Sequence, residues 1–485
     1  MSDKETTSGT GTDTDNNTLR ADHTPVSAAA IAQGNPAGIR TKVIDVEKNS
    51  GAPNSDDDDK ADDDKNGVAA PAQGPSPFGD APDGGLKAWL VVLGAWATSF
   101  CSFGWINSIG VFQDYYENGP LSNYSSSTIS WIPSLQLFFI MALGPVIGRL
   151  FDAYGPRYLI LGGTLLHVFG LMMASLSSQY YQFMLSQGVC SAIGAAAIFQ
   201  PALSCLPGWF SKRRGLAYGI LATGTSVGGV IFPIMVSRLI DSVGYGWAMR
   251  ASAFLILGLL IMSNLTVSSR YHDHPDFQRA PPLTGKQMVT PFLEPGFATM
   301  LAGIFFMTFG IFAPIDYIPV AALATGNVTP SLALYMVSIF NALSLFGRLL
   351  AGWVSDRIGK YNTFIIACYA AGVVVLALWI PGTSRSAQIG FAAIFGFFSG
   401  AYIALIGSLV AQVSAPKEIG YRTGLVFLIA AIPSLTTSPI AGAILSVNNS
   451  WLGVKIFSGV LLLLGSSVTL AARVIYTGFK PTAVF

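Results

Sequence analysis

Arg348 lies inside a long apolar stretch, and Asn341 and Ser344 precede it at spacings that put all three side chains on one face of a helix. A guanidinium at that depth can hold a carboxylate through two parallel hydrogen bonds. Leaving the same charge against lipid is costly. Two other uses compete with anion binding: the side chain could snorkel to the nearer interface, about 9 Å away at 1.5 Å per residue, or it could pair with Asp356. Further polar groups are embedded in apolar stretches: Asn107, Gln136, His167, Gln200, Asp316, Tyr317, Tyr402 and Gln412. Asn107, Gln200 and Tyr402 join Arg348, Asn341 and Ser344 as candidate ligand-binding residues. His167 has the right chemistry for a proton carrier near neutral pH, but a lone histidine without a partner is better read as a packed residue. Asp316 falls near a helix end, where it faces water on this reading.

A second constellation occurs twice. The first copy is Gly148-Arg149-Leu150-Phe151-Asp152-Ala153-Tyr154-Gly155-Pro156-Arg157, and the second is Gly352-Trp353-Val354-Ser355-Asp356-Arg357-Ile358-Gly359-Lys360-Tyr361. Both read G-x-[LV]-x-D-x-x-G with basic neighbours, although the basic residue of the second copy comes one place earlier than Arg157. Glycine suits a tight reversal between two helices. One copy would pass for an ordinary basic loop, whereas a matched pair at corresponding places points to a duplicated bundle.

The elements that must carry these residues are membrane helices. In a chain of 485 residues, 51% hydrophobic and only 11% charged, spans of roughly 20 apolar residues, enough for about 30 Å of hydrocarbon, are expected near 89–111, 129–150, 158–177, 182–206, 216–237 and 248–267. A second set of six is expected near 297–320, 331–353, 362–381, 388–411, 424–446 and 453–473. Prolines within them (Pro133, Pro145, Pro201, Pro314, Pro319, Pro433, Pro439) are tolerated in lipid-embedded helices and give kinks. The fold class is therefore an all-α membrane protein, with residues 83–267 as an N-terminal six-helix half, 268–295 as a connector and 296–485 as a C-terminal six-helix half.

Lysine and arginine concentrate in the loops on the side of the N-terminus: Arg157, Lys212-Arg213-Arg214, Arg270, Arg279, Lys286, Arg357, Lys360, Lys417, Arg422 and Lys480. That side is expected to be cytoplasmic, with both termini there. The opposite loops carry N-x-[ST] sequons at Asn123, Asn327 and Asn448, candidate glycosylation sites that favour the plasma membrane. Asn264 heads a further match at a helix end. Residues 1–82 are polar and acidic, with Asp56-Asp57-Asp58-Asp59-Lys60 and Asp62-Asp63-Asp64-Lys65, a composition that cannot form a core and reads as a disordered cytoplasmic tail. It has no apolar signal-peptide region, so the first span must direct insertion. His272-Asp273-His274 in the connector lacks nearby cysteine or further histidine and reads as a loop rather than a metal site. Cys101, Cys190, Cys205 and Cys368 all fall in apolar spans and imply no disulfide framework.

Two longer strings add a resemblance. Asp83-Gly84-Gly85-Leu86-Lys87-Ala88-Trp89 precedes the first span, and Trp209-Phe210-Ser211-Lys212-Arg213-Arg214-Gly215-Leu216-Ala217-Tyr218-Gly219 enters the fifth. With the paired loop they resemble the monocarboxylate-transporter-like branch of the major facilitator superfamily in its fungal form, over nearly everything from Asp83 onward. The resemblance implies two six-helix halves about a cavity that opens alternately to each side, with cargo near the midplane. It implies an arginine at the place of Arg348 acting on the cargo anion. It also implies a gating charge network of Asp152 and Asp356 with Arg149, Arg157 and Arg357 that latches the cytoplasmic side shut.

The chain departs from that branch too. Animal members carry a lysine in the first helix and an aspartate one turn before the arginine, where this chain has Asn107 and Ser344, so lactate-type proton symport loses its usual groups. Drug–proton antiporters carry an arginine before a Q-G pair and a G-P-x-x-G-G string, where this chain has Met184 before Gln187-Gly188 and Thr225 in place of the proline. The expectation is a secondary active transporter of a small organic anion or carboxylated metabolite, with protons as the candidate coupling ion, a lipid bilayer as its surroundings and no cofactor, metal or nucleic acid. Its rivals are uptake of riboflavin or another vitamin, and a non-transporting nutrient sensor on the same fold. An enzyme is disfavoured, since no intramembrane metal cluster, Ser/His/Asp set or phosphate-cradling loop appears.

Overall fold

The computed structural model describes residues 81–277, 279, 284–448, 450–480 and 483–485, apart from a few side chains that include that of Asn448. Except for its last two residues, the polar tail expected over 1–82, with its acidic run, lies outside them. The described residues form an all-helical bundle containing twelve helices long and apolar enough to cross a membrane. In chain order these are α1 Leu86–Asn118, α2 Ser127–Tyr154, α3 Pro156–Ala174, α4 Tyr180–Trp209, α5 Arg214–Val243 and α6 Tyr245–Thr266. They continue with α7 Pro295–Leu323, α8 Pro330–Ile358, α9 Lys360–Trp379, α10 Arg385–Val413, α11 Ile419–Val447 and α12 Trp451–Thr477.

Most helices overrun the apolar windows by about a turn at one or both ends. Hydropathy marks only the part at hydrocarbon depth, whereas the intrahelical hydrogen-bond ladder continues through polar turns for as long as the backbone allows. Those extra turns carry Asp152 and Asp356. The connector, expected as a plain polar loop, contains a short helix, Gly285–Leu293, started by a reciprocal capping box between Thr284 and Gln287.

Several helices break the regular pattern, α1 and α4 among them. The α1 backbone widens to a π-type turn over Phe100–Gly104 and then loses helical form at Asn107–Ser108 before resuming at Ile109. A π-type stretch also interrupts α4 over Met184–Ser191. Such irregularities free backbone groups and redirect side chains, and they recur at functional sites.

The first six helices meet the last six along two seams, α2 on α11 and α5 on α8. Glycine makes both possible. A Cβ on Gly148 would overlap the Gly420 carbonyl, and one on Gly144 would overlap Gly424. In the other seam Gly352 lies against Gly215 and Gly219 in the same way. Small residues let helix backbones approach to a distance that lipid tails and larger side chains cannot match.

Candidate functional site

Each repeated loop ends a helix with an aspartate two residues before the last helical position, and each aspartate reaches across a seam. Asp152 on α2 accepts from the Gly420 amide at 2.9 Å and the Tyr421 amide at 2.8 Å. Asp356 on α8 accepts from the Gly215 amide at 2.7 Å and the Leu216 amide at 2.9 Å. In both cases the donors are the second and third residues of the receiving helix, α11 or α5. The first amides of a helix lack intrahelical acceptors and carry the positive end of its dipole, so a carboxylate there is held by charge and by geometry.

The expected network of aspartates paired with arginines therefore takes a different form. Backbone amides are the close partners of both carboxylates, because the glycine seams bring helix termini nearer than any long basic side chain has to reach. Arg157 instead pairs with Asp273 of the connector at 3.2 Å, and Arg357 lies over the Trp353 ring at 3.5 Å. Arg149 attracts Asp152 electrostatically, and Lys360 stands 3.8 Å from Asp356.

Arg348 is buried to 1% exposure. Its Nη1 donates to the Ala222 carbonyl of α5 at 2.5 Å and its Nε to Ser344 Oγ at 3.1 Å. Among the described residues no carboxylate stands beside it to offset its charge. It neither snorkels to the interface nor pairs with Asp356. One and two turns back along α8, Ser344 is wholly buried and Asn341 nearly so. Asn341 Nδ2 donates to the Val337 carbonyl at 3.1 Å and reaches Asn107 Oδ1 at 3.5 Å. Gly229 of α5 packs against both amides. Asn107, at the break in α1, thus joins Asn341, Ser344 and Arg348 in a polar ladder rising about 10 Å along α8 at 1.5 Å per residue.

Gln200 and Tyr402, expected in the same ligand site, are placed elsewhere. Gln200 Nε2 donates to the Gly144 carbonyl at 2.8 Å and the Gly420 carbonyl at 3.2 Å, so it ties the α2–α11 seam. Tyr402 hydrogen-bonds Thr308 Oγ1 of α7 at 2.6 Å. It sits two residues beyond Gly400, the α10 residue that meets Ser344 and Arg348, and therefore points round the helix away from them.

His167 is fully buried, with Nδ1 2.9 Å from Ser191 Oγ and Nε2 3.1 Å from the Cys101 carbonyl. Nδ1 also lies 3.0 Å from the Ser191 carbonyl oxygen, so both ring nitrogens are held by protein groups, the setting of a packed residue. Asp316 is accessible and accepts from Ser438 Oγ of α11 at 2.5 Å. Asn123 and Asn327 are exposed at the end opposite the repeated loops. Asn327 Nδ2 donates to the Thr383 carbonyl at 3.0 Å, and Asn448 is the last helical residue at the end of α11.

The two long strings, far apart in sequence, form one structure. Asp83 Oδ1 accepts from the amides of Ser211, Lys212 and Arg213 at 2.7, 2.7 and 3.2 Å, and its own amide donates to the Trp209 carbonyl at 3.1 Å. The Trp89 ring lies 5.1 Å from that of Phe210, and Lys87 lies over Trp209. The loop that presents the amides of Gly215 and Leu216 to Asp356 is thereby fixed to the start of α1.

Comparison with known proteins agrees with this architecture. The family model described as Major Facilitator Superfamily matches residues 88–395 and 327–482. The MFS transporter asaE of Aspergillus flavus is 59% identical over 84% of this chain and 91% of its own length. The fujikurins efflux protein of Gibberella fujikuroi is 55% identical over 82% and 84%, and the aspyridones efflux protein apdF of Emericella nidulans is 38% identical over 81% and 79%. Among solved structures, the transporter FucP in the outward conformation superposes with a TM-score of 0.62 at 13% identity, over 79% of this chain and 98% of that one. The human organic anion transporter MFSD10 gives 0.61 at 15% identity, over 80% and 100%. At such identities the structural likeness speaks for the fold alone. On the family match, the close relatives and the twelve-helix bundle, this chain belongs to the Major Facilitator Superfamily and is a multi-pass membrane transporter.

Proposed function

We propose that the chain is a secondary active transporter that exports a small carboxylated metabolite by alternating access, with Arg348 as its anion-binding residue. The observation that carries this reading is a buried guanidinium that has, among the described residues, no carboxylate beside it to offset its charge. A charge at that depth is expensive unless an opposite charge arrives, and a cargo carboxylate supplies one with bidentate geometry. Asn107, Asn341 and Ser344 add neutral hydrogen-bonding groups above the arginine. Efflux is favoured over uptake because two of the relatives compared above are named as efflux proteins.

On this reading the end bearing the repeated loops is cytoplasmic, in keeping with its excess of lysine and arginine, and the sequon-bearing end is external at the plasma membrane. The two aspartate latches then hold the cytoplasmic side closed, and cargo reaches Arg348 from the cytoplasm only once both are released. The two signature strings support placement in the monocarboxylate-transporter-like branch, while the absence of its coupling lysine sets this chain apart from lactate–proton symporters.

The test is untargeted metabolite profiling of cells and medium with the gene deleted, restored, and restored as Arg348→Ala, with surface expression measured in each. A carboxylated compound should accumulate in cells on deletion and return to the medium only with the intact arginine. Loss of a two-point charged contact, about 2–3 kcal/mol, corresponds to roughly 30- to 150-fold weaker binding. Full recovery with the alanine variant at equal expression would refute the Arg348 assignment. No metabolite shift on deletion would favour a sensor.

A further inference from the structure

The chain leaving α6 and the chain leaving α12 each fold back onto the glycine that lies three residues after a latch aspartate. After α6, the His272 ring covers Gly155, whose φ is +76°, so closely that a Cβ there would meet His272 Cβ and Cγ at 3.0 Å. The ring packs 5.1 Å from Phe151 and 4.6 Å from Phe277. Its Nδ1 lies 2.7 Å from Ser269 Oγ and its Nε2 3.4 Å from the Asp152 carbonyl oxygen. The Arg157–Asp273 pair closes the same fold.

After α12, the backbone of Phe485 covers Gly359, whose φ is +102°, and leaves no room for a Cβ. The Phe485 carbonyl accepts from the amides of Tyr361 at 2.9 Å and Asn362 at 3.3 Å. Its ring lies 4.9 Å from Tyr361 and 5.6 Å from Tyr476. Asn362 Nδ2 and Arg473 Nη2 both donate to the Ala483 carbonyl, at 2.9 and 3.0 Å. The two segments have unrelated sequences and different bonding, yet they cover equivalent glycines.

We infer that these segments are paired straps, and that His272 and Phe485 are positioning residues that hold the loop repeats so that Asp152 and Asp356 stay in register with the ends of α11 and α5. A positive-φ glycine can adopt other backbone conformations at little cost. If either glycine swung, the last turn of α2 or α8 would move with it, and a carboxylate needing two amides within about 3 Å would lose at least one. The strap removes that freedom without touching cargo. This inference deepens the alternating-access reading and rests on it.

The test uses the full chain with spin labels at exposed positions flanking each seam, Tyr158 with Lys417 and Ile358 with Lys212, and measures inter-label distances by pulsed electron resonance. His272→Ala should raise the population with the α2–α11 ends apart, and Phe485→Ala that with the α8–α5 ends apart, each several-fold. His272→Phe and Phe485→Tyr, which keep a ring over the glycine, should restore most of the wild-type distribution. If an alanine variant does not yield folded protein, the graded His272→Asn and Phe485→Leu variants are read in the same way. Distances identical to wild type in folded strap variants would overturn the inference. This readout needs no cargo, so a wrong cargo assignment and a wrong strap assignment give different results.

Discussion

Replacing Asp356 by asparagine should weaken the closed α5–α8 seam by a predictable amount. The carboxylate accepts from the Gly215 and Leu216 amides at 2.7 and 2.9 Å, at the positive end of a 30-residue helix. Asparagine keeps one acceptor oxygen and turns an N–H₂ group toward the other amide. The variant therefore loses one charge-assisted hydrogen bond, about 1.5–3 kcal/mol, together with a helix-end charge interaction of about 0.3–1 kcal/mol. Water reaches the separated ends in the open state and satisfies them there, so a net shift of about 2 kcal/mol is reasonable. At about 1.4 kcal/mol per factor of ten, the closed-to-open ratio should fall by roughly 30-fold. Asp152→Asn should do the same to the α2–α11 seam. The two sites share no partner, so the double variant should show roughly additive effects. The measurement is the distance distribution across both seams, with transport rate recorded alongside. If both single variants and the double variant kept the wild-type distances, the carboxylate–amide contacts would not be what holds this end shut.

Three further outcomes follow from particular contacts. Asp83→Ala removes the acceptor shared by three loop amides and should cost about 1 kcal/mol, as for loss of a helix cap; the thermal midpoint in detergent should fall, and Asp83→Asn should recover part of it. Asp316 is accessible, with Tyr317 as its titratable neighbour and, among the described residues, no cationic side chain beside it. Closing that end would bury an ionised carboxylate at a high cost, so Asp316→Asn should flatten the dependence of exchange rate on external pH in right-side-out vesicles. Burial lowers the pKa of His272, opposed by its contact with the Asp152 backbone and by the nearby Asp273 carboxylate, which is itself paired with Arg157. The docked first strap is therefore favoured in full above the ordinary imidazole value of about 6.5. That contribution is lost as pH falls through the lower docked value. Inner-side acidification should widen the Tyr158–Lys417 distance more in the wild type than in His272→Phe, where the latch carboxylate Asp152 is left to titrate at this seam.

The sequence made the helices and the latch acids visible, because both leave residue-level marks: apolar runs of membrane length, and an aspartate framed by glycines in two matching loops. It could not show what the acids bind, since a backbone amide has no residue signature; Gly420-Tyr421 and Gly215-Leu216 share only the leading glycine. Facing was equally hidden. Gln200 and Tyr402 are polar groups at depth like Asn107, but one spans the carbonyls of a seam and the other turns toward α7, because the rotation of each helix is set by packing rather than by hydropathy. The contact between Asp83 and the Ser211–Arg213 loop was foreshadowed only by two strings whose shared purpose appears once they touch. The straps left no mark at all, apart from the glycines they cover.

The internal repeat is kept where the task is mechanical and broken where it is chemical. In the α2–α11 seam, Gly144 brings backbone against backbone at Gly424, one turn from the Gly148–Gly420 contact. The corresponding place in the second repeat is Arg348, one turn from Gly352. The arginine backbone still meets α5, where a Cβ on Gly219 would lie 2.7 Å from the Arg348 carbonyl oxygen, so this seam closes as the other does. Its side chain is accommodated because Gly400 of α10 has no Cβ to oppose it; one placed there would lie 3.3 Å from Arg348 Cγ. A closure that needs only two helix ends to meet can use the same parts twice, whereas on the proposed reading a single cargo anion needs a single cation. A second arginine at Gly144 would place a like charge against the opposite seam and separate α2 from α11 by its bulk.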